Sequence, residues 1–380
     1  MKKINLLNRF DFNLPILSVY SLPTQILSTG IRLRMFILII LACTNFNIVA
    51  QPQPESKTTV NAVTQKVANL KSIFELSRGL YDAGYYQNAA PYALQAYQQI
   101  IKLKNLSTNT VVVANNLAVI KFRLGENKQA RRLLQALLVK LTAQKNKNSE
   151  TIDKQLLTVY INLFELNSAT GKYEQAEANL NQILKIDSQY YSATHPVFLH
   201  DKFLKIRLEF ERGNNALSRQ LLSEHLSYIP SGRLYNEARV EAGLLSAKLD
   251  VRALNYASAI KTLQQALVWQ GEGDTQLAAD IYHQLAVIFT KSEALSDRML
   301  AKKYQHKQLE ILKQLYGNNH PRIAQALMHF FYIKPETLSA KQKKFVREVY
   351  TRSFGPRNIR TLKILNRINN PSSVYNQAAL

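Results

Sequence analysis

Histidine, cysteine and carboxylate side chains are the groups in this sequence that could act as metal ligands, nucleophiles or general acids and bases. Seven histidines are present: His195, His200, His225, His283, His306, His320 and His329. No two of them have the i, i+4 spacing that places both imidazoles on one helical turn. The single cysteine, Cys43, excludes an intramolecular disulfide and any cysteine-rich zinc or iron–sulfur site.

Phosphate-binding loop motifs and the G-x-S-x-G nucleophile motif do not occur in the sequence. Paired carboxylates do occur, as Asp201 with Glu209 and Glu237 with Glu241, and we interpret them as acidic residues on solvated helix faces. His195 and His320 are each followed by proline, which is tolerated in the first turn of a helix. We therefore predict no catalytic, metal-binding or cofactor-binding residue, and no enzymatic activity.

The elements that carry these residues are predicted to be helices. Glycine and proline number 12 and 11 of 380 residues, about 3% each, against typical values near 7% and 5%. A chain with so few turn-forming residues has few turns. The hydrophobic fraction of 46% excludes disorder as the main state.

Small residues recur along the chain with a nearly constant period. Six of them are separated by 41, 46, 42, 41 and 42 residues: Ala89, Ala130, Ala176, Ser218, Ala259 and Ala301. Each of the first four follows a glycine closely: Gly84, Gly125, Gly171 and Gly213. This pattern predicts helical hairpins, in which the glycine caps the first helix and the small residue lets the second helix approach it. Because one hairpin cannot bury its own apolar face, the hairpins must stack.

These units resemble the tetratricopeptide repeat family. The resemblance is carried by Leu117-Ala118 with Gly125 and Ala130, and by Gly171, Tyr173 and Ala176. The period near 42 is similar to the longer, kinesin-light-chain-like subtype, whose G-x-x-H-P-x-x-A junction is matched from Gly317 to Ala324. A second His-Pro dipeptide stands at His195, and Asn358-Ile359 occupies the same place in a degenerate third copy.

The resemblance implies an all-α, right-handed superhelical solenoid of antiparallel helical hairpins with about six to seven repeats. Three units depart from the pattern, and we expect them to be distorted. The fourth has Ser218 in place of alanine, the fifth has Leu254 where glycine is expected, and the sixth has about three extra residues before Ala301.

Three asparagines are candidates for a protein-binding groove. Asn115 and Asn116 directly precede Leu117, and Asn162 has the same place in the third unit. In peptide-binding relatives an asparagine there often contacts the ligand, so the resemblance implies that role. The alternative is that each asparagine bonds only to a neighbouring helix.

The formal net charge of +23 indicates an anionic partner or surface. Residues 301–380 contain 15 basic and three acidic residues, which is +12 of that excess. The candidates for an anionic surface are Lys343, Lys344, Arg347, Arg352, Arg357, Arg360, Lys363 and Arg367. One interpretation is a polar cap that keeps a solenoid soluble. A second is a binding site for anionic lipid, lipopolysaccharide or an acidic protein. A third is a nucleic-acid surface, which would require a chain that is not exported.

The N-terminus predicts export. Arg32 and Arg34 precede the apolar run MFILIILA at 35–42, and Ile48 and Ala50 suit a cleavage site before Gln51. Two alternatives remain open. In the first, the residues before Cys43 act as a lipoprotein box, which they loosely resemble, and a lipid on Cys43 anchors the chain. In the second, the protein is cytoplasmic and the apolar run reflects the choice of translation start site.

The sequence therefore predicts a signal peptide at 1–50, a linker at 51–66, a repeat solenoid at 67–335, a basic capping hairpin at 336–370 and a frayed tail at 371–380. The function that we predict is a non-catalytic scaffold for protein or peptide ligands in the bacterial envelope, without a cofactor. The alternative is a cytosolic repeat regulator that binds peptide or nucleic acid.

Overall fold

The computed structural model describes residues 57–102, 108–144, 150–291, 295–333 and 338–370. Within these ranges the chain forms helices and no strand. The α-helices are α1 Lys57–Asp82, α2 Tyr86–Ile101, α3 Thr108–Arg123, α4 Asn127–Gln144, α5 Glu150–Ser168, α6 Tyr173–Asp187, α7 Pro196–Arg212, α8 Asn215–Tyr228, α9 Asn236–Arg252, α10 Tyr256–Gln270, α11 Gln276–Thr290, α12 Leu295–Tyr316, α13 Pro321–Ile333, α14 Ala340–Phe354 and α15 Ile359–Asn369.

Consecutive helices pair into hairpins, from α1 with α2 to α13 with α14, and α15 follows as an additional helix. Each second helix also packs against the first helix of the next hairpin, and first helices of several neighbouring hairpins contact each other. The arrangement is an all-α solenoid of helical hairpins, as predicted. Second helices bury one face, as α4 does with Ala130 and Leu134, and expose the other, where Val139 is 71% accessible.

The turns and helix crossings lie where the repeat spacing predicts them. Gly84, Gly125, Gly171 and Gly213 end first helices with φ between 70° and 92°, a region that costs glycine little. In the fifth hairpin Leu254 takes the same left-handed conformation, with φ of 59°. All six small residues are buried, with 0 to 7% of their surface accessible. Ser218 fits as well as alanine because its hydroxyl donates to the Ile206 carbonyl at 3.1 Å.

The three junction copies share one helix cap. His195 Nδ1 accepts from the Val197 amide and His320 Nδ1 from the Arg322 amide, both at 3.2 Å. Asn358 Oδ1 accepts from the Arg360 amide at 2.9 Å. The degenerate third copy therefore keeps the capping function of the other two.

The ends of the described chain differ partly from expectation. Helix α1 begins at Lys57, inside the segment predicted as a linker. The predicted signal peptide, Cys43 and the tail from residue 371 lie outside the described residues. None of the helices in the described ranges has the length and apolar character needed to cross a membrane.

The C-terminal helices do not end the solenoid as a free cap, because they return to its first hairpins. Phe354 of α14 packs 5.4 Å from Tyr86 of α2, measured between ring centroids. The side chain of Asn358 donates from Nδ2 to the Leu124 carbonyl at 2.8 Å, across 234 residues of sequence. A Cβ on Gly84 would overlap with Pro321 Cδ. We call this contact between the two ends the closure.

Candidate ligand-binding site

The three groove asparagines lie inside helix contacts. Asn115, Asn116 and Asn162 are 0 to 1% accessible. Asn116 Nδ2 donates to Ser77 Oγ at 3.3 Å, and Asn162 Nδ2 donates to Asn115 Oδ1 at 3.2 Å. These bonds link α1 to α3 and α3 to α5, which is the alternative that the sequence left open. In this structure the three side chains offer no surface to an external ligand.

Three of the four paired carboxylates are not on solvated faces, contrary to our interpretation of the sequence, and the fourth, Glu237, is half-buried. Asp201, Glu209 and Glu241 are 1 to 4% accessible. Glu209 Oε1 forms ion pairs with Arg212 Nη1 at 3.2 Å and with Lys205 Nζ at 3.3 Å. Helical spacing of charged residues did not distinguish a solvated face from a face covered by the next hairpin.

Two histidines pair across first helices. His329 Nδ1 in α13 lies 2.9 Å from His283 Nε2 in α11. Burial, followed by the neighbouring His329, lowers the pKa of His283 to about 3. A neutral imidazole pair can share one hydrogen bond, with one ring as donor and the other as acceptor. Nowhere in the described ranges do three or more histidine, cysteine or acidic side chains gather as metal ligands would.

A row of charged residues runs along the first helices, with one residue on each from α3 to α13. We call it the inner row: Arg123, Glu165, Arg207, Lys248, Asp280 and Arg322. Glu165, Arg207 and Lys248 stand eleven residues before the small residue of their hairpins, so they have equivalent places in the repeat. The middle of the row therefore follows from the repeat, and Arg123, Asp280 and Arg322 extend it from other positions of their first helices.

Neighbours in the inner row interact. Arg207 Nη2 lies 2.5 Å from Glu165 Oε1. Burial lowers the pKa of Lys248, and the carboxylate of Asp280 opposes that shift. Burial raises the pKa of Asp280 to about 6. Because these two groups are desolvated yet only half-buried, they lie on a recessed face of the solenoid.

The basic residues predicted as an anionic surface lie on the last two described helices and in the turn between them. Lys343, Lys344, Arg347 and Arg352 lie on α14, Arg357 precedes α15, and Arg360, Lys363 and Arg367 lie on α15.

Several of these cations contact their own end of the chain. Lys343 Nζ lies 5.5 Å from the Phe331 ring centroid, and Lys344 Nζ lies 4.0 Å from Glu348 Oε1. Arg347 donates to Asn369 Oδ1 at 2.6 Å.

Arg352 belongs to the closure. Its guanidinium lies 5.2 Å from the Tyr85 ring centroid in the first hairpin. It also donates to the Asn319 carbonyl at 2.9 Å.

The three cations of α15 line an open cavity at the closure. The cavity has a volume of about 240 Å³. Its lining residues come from both ends of the described solenoid: Tyr86, Arg123, Pro321, Arg322, Gln325, Tyr350, Phe354, Arg360, Lys363, Ile364 and Arg367. We call it the closure cavity. Five of these eleven residues are cationic and none is acidic.

Two lining cations are held in place by aromatic residues. Arg123 Nε donates to Tyr81 Oη at 2.9 Å. Arg322 Cζ lies 4.5 Å from the Tyr316 ring centroid.

The lining arginines act on the pKa values of two neighbouring groups, His320 and Tyr86. Burial, followed by Arg322 and Arg123, lowers the pKa of His320 to about 3. Burial raises the pKa of Tyr86 to about 12 although three nearby arginines oppose that shift. The phenol of Tyr86 is therefore neutral and can donate a hydrogen bond at neutral pH.

The sequence predicted the cations of α15 as an anionic surface but did not indicate Arg123 and Arg322. Charge density was the signal, and it is strong only in the last fifth of the chain. Arg123 is the last residue of the first helix of the second hairpin, and Arg322 follows a His-Pro cap. Neither position indicates an anion site in the sequence alone.

A comparison of this sequence with protein-family models finds no match, and a search of curated proteins finds none either.

Proposed function

We propose that this protein is a non-catalytic scaffold of tetratricopeptide-like repeats that binds a protein or peptide partner along its inner row. We also propose that it is exported and acts in the bacterial envelope, as the N-terminal sequence indicates. Stacked helical hairpins present one continuous face assembled from many repeats, and extended or helical peptides are recognised on such faces.

The inner row is the observation that carries the proposal. Both signs of charge occur along it, and each carboxylate lies next to a cation of a neighbouring repeat, with Glu165 next to Arg207 and Asp280 next to Lys248. A peptide along this face would meet both signs of charge at fixed intervals of one repeat. Such a pattern selects a partner by the order of its charges.

Site-specific photocrosslinking in living cells tests the binding face. A photoreactive residue at His329, which is exposed on the first helix α13, samples the inner row. The same residue at Val139, on the exposed face of the second helix α4, is the matched outer control. We expect a discrete crosslinked species from position 329 and none from position 139. Equal crosslinking at both positions would contradict binding along the inner row.

The intact mass of the native protein after cell fractionation tests export. We expect a periplasmic chain that starts at Gln51. A lipidated chain that starts at Cys43 would place the scaffold on a membrane. An uncleaved cytosolic chain would contradict export and favour the cytosolic regulator instead.

A further inference from the structure

We propose that the closure cavity is a binding site for a phosphate-type anion, either inorganic phosphate or the phosphate of a monoester. This inference goes beyond the scaffold function, since the cavity lies where the first and last described hairpins meet and needs no protein partner. Its cationic lining residues are Arg123, Arg322, Arg360, Lys363 and Arg367.

The imbalance of charge in the cavity is the first argument. Along the middle of the inner row, cations are near carboxylates, as Arg207 is near Glu165. In the closure cavity five cations meet without an acidic lining residue. Like charges gathered in a recess repel one another, so an anion there gains from all of them.

The directions of the donors are the second argument. The lining arginines belong to three different helices, α3, α13 and α15, so their guanidinium groups approach from several sides. A carboxylate presents two oxygens in one plane and a single charge. A phosphate presents oxygens in tetrahedral directions and carries nearly two charges, which suits several guanidinium forks at once.

Several of the cations are held in place before any anion binds. Arg123 is tethered to Tyr81, and Arg360 lies over the Phe354 ring, 5.7 Å from its centroid. Side chains fixed in this way lose little conformational entropy when a ligand arrives. The volume of about 240 Å³ also leaves room for part of a molecule attached to the phosphate.

Binding would strengthen the closure. Tyr86 and Arg123 come from the first two hairpins, and the remaining lining residues come from α13 to α15. An anion held by both groups connects the two ends of the solenoid. Because it binds the closed form better than an opened one, it stabilises the closed form.

Thermal unfolding of the purified full-length chain tests the proposal. The probes are inorganic phosphate, glycerol 3-phosphate, malonate and sodium chloride at matched ionic strength. Lys363→Gln with Arg367→Gln removes two charges from the cavity. Lys344→Gln with Arg357→Gln removes two charges from the same basic end but outside the cavity lining, and is the matched control.

We expect phosphate, glycerol 3-phosphate or both to raise the melting temperature more than chloride does, in the native chain and in the control. A larger shift with the ester than with free phosphate identifies a monoester as the ligand. The cavity variant should bind about tenfold more weakly or worse, because it loses charge-assisted hydrogen bonds. Without phosphate it should melt no lower than the control, since removing like charges relieves repulsion.

Three outcomes would overturn the proposal. They are equal phosphate shifts in the two double variants, a native-chain response no larger than that to chloride, and a larger shift with malonate than with either phosphate compound. If the double variant does not fold, Lys363→Gln alone decides in the same way, because Lys363 is an exposed residue of the cavity lining.

Discussion

The junctions inside the solenoid and the closure between its ends are built differently. At an inner junction the turn has space around it, as at Gly171, where an added Cβ would meet nothing within 4 Å. The packing there is apolar, with Ala176 and Leu180 in one large hydrophobic cluster. At the closure, a Cβ added to Gly84 would overlap with Pro321, and aromatic rings, cations and side-chain amides make contacts there.

The difference shows that this solenoid does not depend on nearest-neighbour contacts alone. In an open array each repeat contacts only its neighbours, so the terminal repeats are the least supported. Here the first and last hairpins support each other through Phe354, which joins the hydrophobic cluster of Tyr86 and Ala89. Changes at the closure should therefore affect both ends of the chain together.

Alanine at Gly84 should give the largest effect and separates the two kinds of contact directly. Gly84→Ala adds left-handed strain and also an overlap with Pro321, so we expect a loss of about 2–5 kcal/mol in the free energy of unfolding. Gly171→Ala adds the strain alone and should cost about 1–2 kcal/mol. Denaturant unfolding of both variants measures the difference. Equal losses would mean that the closure does not constrain the first hairpin in solution.

Acid should weaken the closure through His320. Its pKa of about 3 in the fold lies below the ordinary value of 6.5, so as the pH falls below about 7 the unfolded chain takes up a proton that the folded chain does not. This histidine alone should cost about 2 kcal/mol of stability between pH 7 and pH 5. Protonation would also remove the Nδ1 acceptor of the Arg322 amide.

The substitution His320→Asn isolates that contribution. Asparagine can cap the helix without titrating, as Asn358 does in the third junction. Unfolding measured at pH 7 and pH 5 should show a stability loss smaller by about 2 kcal/mol in the variant. His195→Asn makes the same change of cap away from the closure and is the control. If the stability of His320→Asn falls with pH as much as that of the native chain, His320 does not cause the acid sensitivity.

The sequence predicted the inner junctions well because they repeat. Gly171 and Ala176 recur as types at a fixed period, and the geometry of one hairpin carries over to the next. The closure occurs once, so no repeated spacing in the sequence predicts it. Arg123 and Phe354 belong to no motif that would indicate a contact between distant hairpins. The repeat position of the groove asparagines could not show what they contact, because Asn162 keeps its place in the repeat whether it faces a ligand or a neighbouring helix.

Two substitutions of Asn358 separate helix capping from closure. Asn358→Asp keeps an oxygen that accepts from the Arg360 amide but loses the donor to the Leu124 carbonyl. We expect it to cost about 1 kcal/mol, the typical net value of one hydrogen bond. Asn358→Ala loses both bonds and should cost about 1 kcal/mol more, since a cap is worth about that much. If Asn358→Asp unfolds like the native chain, the bond to Leu124 contributes nothing to the closure.

Leu254→Gly should give the smallest effect, and it lies among the inner junctions. Leu254 has φ of 59° and a side chain that is 71% exposed, so little packing is lost with the side chain. Glycine removes about 1–2 kcal/mol of left-handed strain but adds about 0.5–1 kcal/mol of backbone entropy to the unfolded chain, which leaves a net gain of about 0.5 kcal/mol. Denaturant unfolding should show this gain with the phosphate response of the closure cavity unchanged. A gain that appears only with phosphate present would mean that inner junctions and closure are coupled, because an independent turn cannot sense an anion bound between the chain ends.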